Sequence, residues 1–62
     1  MNKTELIEQI RERLGDATES DAKRMYELLD DNDYIEYGNC GLYLKYISDT
    51  EWMRLVEIVG AN

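Results

Sequence analysis

Apolar residues recur at three- and four-residue steps in three stretches of the chain, which is the spacing of one buried helix face. Polar and charged residues fill most of the positions between them. The three apolar stripes are Leu6, Ile7, Ile10 and Leu14; Ala22, Met25, Tyr26 and Leu29; and Trp52, Leu55, Val56 and Val59. The pattern therefore predicts three amphipathic helices.

Each of these stretches is bounded by residues that favour helix ends. Asn, Asp, Ser or Thr three residues before an acid has the spacing of a helix cap, and glycine readily takes the left-handed conformation that closes a helix. A run of acids is unfavourable at a helix C-terminus and predicts that the second helix stops there. The predicted starts are Asn2 with Glu5, Asp16 with Glu19 or Thr18 with Asp21, and Ser48 with Glu51, and the predicted ends are Gly15, Asp31 and Gly60.

The segment between the second and third stripes is typical of a β-hairpin. Residues 34–37 and 42–47 are rich in aromatic and branched side chains, and Gly38-Asn39-Cys40-Gly41 separates them. Asn39 can take a positive φ at little cost, and the glycines on either side of it relax the turn. Pairing Tyr37 with Leu42 separates an apolar face from a polar one, and a slip by one residue would mix them. The predicted inward face is Ile35, Tyr37, Leu42, Leu44 and Tyr46, and the predicted outward face is Tyr34, Glu36, Tyr43 and Lys45.

These elements predict an α+β fold in the order α-α-β-β-α, as a single compact domain over residues 1–62. Two strands are not stable alone, so helices are expected to cover the apolar face of the hairpin. The core of so short a chain is thin, because a domain of about 60 residues buries only about 60% of its unfolded surface.

Composition excludes the usual catalytic and metal-binding classes. The chain has no histidine and one cysteine, so a Cys–His nucleophile and a histidine base are absent and a zinc site is not expected. The four glycines lie at element ends and form no phosphate-binding loop. We therefore predict a protein that is not an enzyme and binds no cofactor. The lone Cys40, with no membrane span and no secretion leader in the sequence, predicts a cytoplasmic location.

The negative charge is concentrated in the middle of the chain. The net charge is −7, and residues 16–36 alone hold eight acids against Lys23 and Arg24, a balance of −6. A calcium loop does not explain this concentration, because loops starting at Asp30 or Asp31 place Ile35 or Glu36 where glycine is required and lack the final glutamate. The acids therefore point to a partner or simply to solubility.

Five acids follow one another from the second helix to the first strand with no basic residue among them. We call this set the acidic surface: Glu27, Asp30, Asp31, Asp33 and Glu36. Tyr34 and Tyr43 are predicted to lie beside it on the outward face of the hairpin, where exposed tyrosines make good interface anchors. Carboxylates on a folded surface can occupy a Lys/Arg groove that otherwise holds phosphates. The predicted binding residues are these five acids and two tyrosines.

In length, charge and the "DDNDYIE" run with its tyrosines, the chain resembles small acidic inhibitors encoded by bacteriophages, notably anti-CRISPR proteins and other DNA mimics. The resemblance implies a protein that binds a CRISPR effector nuclease, or another nucleic-acid enzyme of the host, and blocks its DNA-binding groove. It transfers no individual residue, because these inhibitors share no common motif. It also implies that the protein acts in the host cytoplasm.

Two other functions stay open at this point. The chain is also consistent with a small regulatory or structural protein that forms a homodimer or heterodimer through apolar surface. The first two helices and the hairpin are also consistent with a helix-turn-helix-like DNA-binding regulator. The second helix would then be the recognition helix, and its acids would repel phosphates, so direct nucleic-acid binding is not expected.

Overall fold

A computed structural model describes residues 1–15 and 17–60. The elements are α1 (Lys3–Arg13), α2 (Glu19–Asp31), β1 (Ile35–Gly38), β2 (Gly41–Leu44) and α3 (Asp49–Gly60). The predicted α+β class and the order α-α-β-β-α are confirmed. Among the helices of the described ranges, none has the length and apolar character needed to span a bilayer.

The first two helices begin at residues that the sequence singled out. At α1, Oδ1 of Asn2 accepts the Glu5 N–H at 2.8 Å, and the Glu5 carboxylate accepts the Asn2 N–H at 3.1 Å, which completes a capping box. At α2, Oγ1 of Thr18 accepts the Asp21 N–H at 3.1 Å. The alternative start at Asp16 lies outside the described residues.

At the start of the third helix, only one of the two hydrogen bonds of the predicted capping box forms. Oγ of Ser48 accepts the Glu51 N–H at 3.2 Å, as predicted. The Glu51 carboxylate does not return the bond to Ser48, because it accepts hydrogen bonds from Arg54 and Tyr34 instead. The predicted reciprocal capping box is therefore wrong, and a tertiary contact takes its place.

The core lies where the three helices meet one side of the hairpin. The predicted stripes of all three helices supply most of it, with Leu14 and Val56 only partly buried at its margin. Two cations cover aromatic rings at its edge, with Arg13 4.1 Å from the centre of the Trp52 ring and Lys3 5.1 Å from that of Tyr26. The largest fully buried side chains are Leu6, Ile10, Met25, Leu29 and Leu55.

The hairpin has the predicted register. Tyr37 pairs with Leu42, and Gly38 pairs with Gly41 at the turn. In the turn, the positive φ is at Gly41, at 100°, and Asn39 does not adopt one. Glycine is also the only residue type that fits at position 41, because a Cβ there would lie 2.6 Å from the carbonyl oxygen of Met1.

The inward face of the hairpin is smaller than predicted. Ile35 and Leu42 are buried and Leu44 is partly buried, but Tyr37 is 76% exposed and Tyr46 is 88% exposed. β2 ends at Leu44, so the alternation of faces does not extend to Tyr46. Tyr37 lies near the tip of the hairpin, and its placement inside the core is likewise a wrong prediction.

Candidate interaction surface

The acidic surface is organised around the end of α2. Glu27, Asp30 and Asp31 are exposed on its last turns, where residues three or four apart lie about 5–6 Å from each other at Cβ. Asp33 follows the helix and Glu36 lies on β1, and both are exposed. The structure thus brings all five acids to the surface along one continuous stretch of chain.

The chain reverses at Asp33, which has a φ of 64°. The N–H of Asp33 donates to the carbonyl of Asp30 at 3.1 Å, and the N–H of Tyr34 donates to the carbonyl of Leu29 at 2.8 Å. These two bonds are those of a Schellman motif, which satisfies the last carbonyls of a helix. The side chain of Asn32 adds a 2.7 Å bond to the carbonyl of Leu28. The helix end therefore fixes where Asp33 lies.

Most basic residues of the chain form ion pairs with acids outside the acidic surface. Five of the seven form ion pairs, and among the described residues none of these pairs includes a member of the acidic surface. The negative charge that remains without a cation is therefore concentrated on the acidic surface, although each pair adds little stability. The pairs are Arg11–Glu8, Arg13–Asp49, Lys23–Glu19, Arg24–Asp21 and Arg54–Glu51.

The two tyrosines predicted beside the acids have different surroundings. Tyr43 is 44% exposed, and its hydroxyl donates to the carboxylate of Glu36, which raises the pKa of the Tyr43 phenol. This contact places Tyr43 next to the acidic surface. It also occupies one oxygen of Glu36, so this carboxylate is held in a defined position.

Tyr34 is turned toward the core instead. It is partly buried, and its hydroxyl donates to Glu51 of α3 at 3.1 Å. Burial, with the bond to Glu51 adding to it, raises the pKa of the Tyr34 phenol. Tyr34 therefore joins the start of the hairpin to α3, and the predicted fully exposed position is wrong.

Tyr37 and Tyr46 are the exposed aromatic residues that sequence reasoning did not assign to the surface. Both fit the apolar alternation of the hairpin, and this pattern predicts an inward position for each of them. The phenol group of tyrosine is compatible with either side of a sheet, so residue type alone does not decide.

A shallow groove runs between α2 and α3 beside the acidic surface. Glu27 and Asp31 lie on one side of it, and Leu28 and Ile58 contribute apolar walls. The guanidinium of Arg24 also borders the groove, where it donates to the carbonyl of Val59 at 2.8 Å. Within the described residues, no three acidic or thiol side chains converge as a metal site would require.

Comparisons of this chain with protein-family models, with curated proteins and with solved structures gave no match.

Proposed function

We propose that the protein is a non-enzymatic inhibitor that uses the acidic surface to occupy a basic nucleic-acid-binding groove of a host effector, such as a CRISPR-associated nuclease. The observation that carries this proposal is the separation of charges: among the described residues, the five ion pairs include no carboxylate of the acidic surface, so an external cation can pair with them. A groove built for phosphates supplies such cations as Lys and Arg side chains.

The rigidity of the surface also supports this function. The Schellman bonds fix Asp33, and the Tyr43 hydroxyl holds Glu36. Preorganised charges lose less conformational entropy on binding than charges on a flexible tail. The unbalanced field of a protein with net charge −7 would also speed its encounter with a basic groove.

The test is competition with DNA for a panel of purified RNA-guided nucleases, measured by DNA binding at increasing salt. We expect inhibition to weaken steeply with salt and to weaken again in the variant Asp30→Asn, Asp31→Asn, Asp33→Asn. Loss of three charge-assisted contacts of about 1.5–3 kcal/mol each predicts at least a hundredfold loss of affinity. Asparagine tolerates the left-handed conformation at position 33, so the helix end is preserved.

The matched control is Glu8→Gln, Glu12→Gln, Glu57→Gln, which changes the net charge equally on other exposed positions. We expect this control to inhibit almost as well as the unchanged protein. Equal losses in the two variants would indicate a general charge effect and contradict a specific acidic surface. Inhibition that is indifferent to salt and to both variants would also contradict it.

A further inference from the structure

The backbone groups of β1 alternate in direction, and one set points away from the hairpin. The N–H of Lys45 donates to the carbonyl of Tyr34 at 2.7 Å, so these two residues form a hydrogen-bonded pair. Hydrogen-bonded pairs recur at every second residue of an antiparallel ladder. With the observed register, the N–H and C=O groups of Ile35 and Tyr37 therefore point to the outer edge of β1.

The corresponding edge of β2 is already occupied by Met1. The N–H of Leu42 donates to the carbonyl of Met1 at 2.8 Å, and the amino group of Met1 lies 3.4 Å from the carbonyl of Leu42. Met1 thus pairs with the outer edge of β2 at Leu42, as a residue of an added strand would. On the β1 side, by contrast, the described part of the chain supplies no third strand, since the sheet contains β1 and β2 alone.

β1 lacks three of the features that prevent strand addition, although the strand is short and carries the charge of Glu36. Its sequence, Ile-Glu-Tyr-Gly, contains neither lysine nor proline, and its ladder has no bulge. The aromatic side chain of Tyr37 is 76% exposed at this edge, while Glu36 is exposed on the opposite face. A strand added here would contact apolar and aromatic groups on one face and a carboxylate on the other.

We propose that the outer edge of β1 binds an extended basic segment of a partner protein as an additional antiparallel strand. The segment alternates basic residues, placed beside Glu36, with apolar or β-branched residues, placed beside Ile35 and Tyr37. The basic character of the partner rests on the function proposed above. The strand pairing is a separate claim that follows from the free edge.

Charge favours such a segment over a second copy of this chain. Two copies of β1 paired antiparallel with Ile35 facing Tyr37, the register that uses the outward groups of both residues, would place Glu36 directly opposite Glu36. Like charges in opposed positions destabilise a sheet. The same pairing would bring two acidic surfaces together. A basic strand meets the same groups with opposite charge.

The experiment uses the synthetic peptide Lys-Thr-Lys-Val-Lys-Thr-Lys-Val and two N-methylated forms of it. In antiparallel pairing, residues opposite Ile35 and Tyr37 direct their N–H groups at β1, whereas residues opposite Glu36 direct theirs away. One form is methylated on the backbone nitrogens of the two threonines and the first valine. Its matched control is methylated on the backbone nitrogens of the three internal lysines. Both methylated peptides keep the charge and side chains of the parent.

We expect methylation of Thr and Val to weaken binding at least tenfold, because net contributions of about 0.5–1.5 kcal/mol are lost at several hydrogen bonds. Methylation of the Lys backbone nitrogens should change the affinity by less than about threefold. Bound peptide should also slow hydrogen exchange at the Tyr37 amide, while the Glu36 amide, already bonded within the hairpin, should change little. On the protein side, Tyr37→Pro should remove binding and Tyr37→Ala should retain part of it.

Absence of peptide binding, or equal binding of the two methylated peptides, would overturn the strand pairing. If the two methylated peptides bind equally and their binding still depends on Asp30, Asp31 and Asp33, the strand pairing is overturned while the proposed function stays intact. Methylation-sensitive binding without inhibition of any nucleic-acid enzyme would support the edge and contradict the proposed function. A dimer of the free protein that Tyr37→Pro dissociates would assign the edge to a second copy and overturn the proposal.

Discussion

Asp33 takes the left-handed conformation at which α2 ends, with φ at 64°. This conformation costs a residue with a Cβ about 1–2 kcal/mol, and glycine is the usual occupant. The carboxylate adds a further unfavourable interaction with the negative end of the helix dipole. The backbone geometry explains why a turn residue is required at this position. It does not explain why that residue carries a negative charge, whereas the proposed binding role does.

Asp33→Gly is therefore expected to stabilise the fold. Relief of the left-handed strain and of the dipole repulsion outweighs the greater chain entropy of glycine by about 0.5–1 kcal/mol. For a domain of this size, that corresponds to a rise of several degrees in Tm. Thermal unfolding followed by circular dichroism measures the change.

The matched control is Asp31→Gly, which places glycine inside the last turn of α2. It is expected to change the free energy of unfolding by less than about 0.5 kcal/mol, because the entropy that helical glycine loses on folding offsets the relief of the dipole repulsion. Lower stability in the Asp33→Gly variant would mean that the Asp33 carboxylate makes a favourable contact within the fold. Its presence would then need no binding role.

The hairpin depends on contacts from outside its own sequence. Met1 lies against the backbone of Gly41 and bonds to Leu42, and the amino group of Met1 donates to the carbonyl of Cys40 at 2.7 Å. A two-stranded hairpin is marginal alone, so these bonds contribute to holding it against α1. The close approach is available because Gly41 has no side chain.

Replacing Gly41 and Gly15 separately by alanine isolates this contact. Both glycines have positive φ, at 100° and 78°, but a Cβ at Gly15 would meet nothing within 4 Å. Gly15→Ala is expected to cost about 1–2 kcal/mol through backbone strain alone. Gly41→Ala should cost at least about 1 kcal/mol more, since the Met1 backbone must move and its hydrogen bonds weaken. Denaturant unfolding compares the two, and equal losses would show that the Met1 contact contributes nothing.

Across the whole molecule, Glu51 joins segments that are distant in sequence. Its carboxylate binds Arg54 of α3 through bonds of 2.6 and 2.8 Å and accepts the hydroxyl of Tyr34 from the start of the hairpin. The bonds from Arg54, aided by Tyr34, lower the pKa of Glu51 below its ordinary value of 4.5. The folded state therefore favours the ionised form of this carboxyl.

The lowered pKa of Glu51 in the folded state determines how the free energy of unfolding changes with pH. The contribution of Glu51 to stability is fully present above its ordinary pKa of 4.5 and is lost as the pH falls through the lower folded value. Between about pH 6 and about pH 3, Glu51→Gln should flatten the decline in the free energy of unfolding. Arg54→Gln should reduce the same contribution, because it removes the main cause of the shift. Urea unfolding at each pH is the measurement, and parallel curves for all three proteins would contradict this assignment.

Short-range patterns were sufficient to predict much of this fold. The three apolar stripes, the Asn2 and Thr18 caps and the pairing of Tyr37 with Leu42 were all predicted, because helical period, capping and strand alternation act over a few residues. The candidate acids could be named in the same way. Their exposure follows from charge, and their grouping follows from their closeness along the chain.

The sequence by itself determined the elements, their order, the register of the hairpin and the concentration of negative charge. Only the tertiary structure decided that Tyr34 turns inward to Glu51, that Tyr37 and Tyr46 stay exposed, and that Met1 closes the edge of β2. These outcomes depend on contacts between residues up to 41 positions apart, for which no local period exists. The thin core also has room for only part of the apolar face of the hairpin. Within the described residues, packing left the outer edge of β1 without a third strand and the acidic surface without an ion pair.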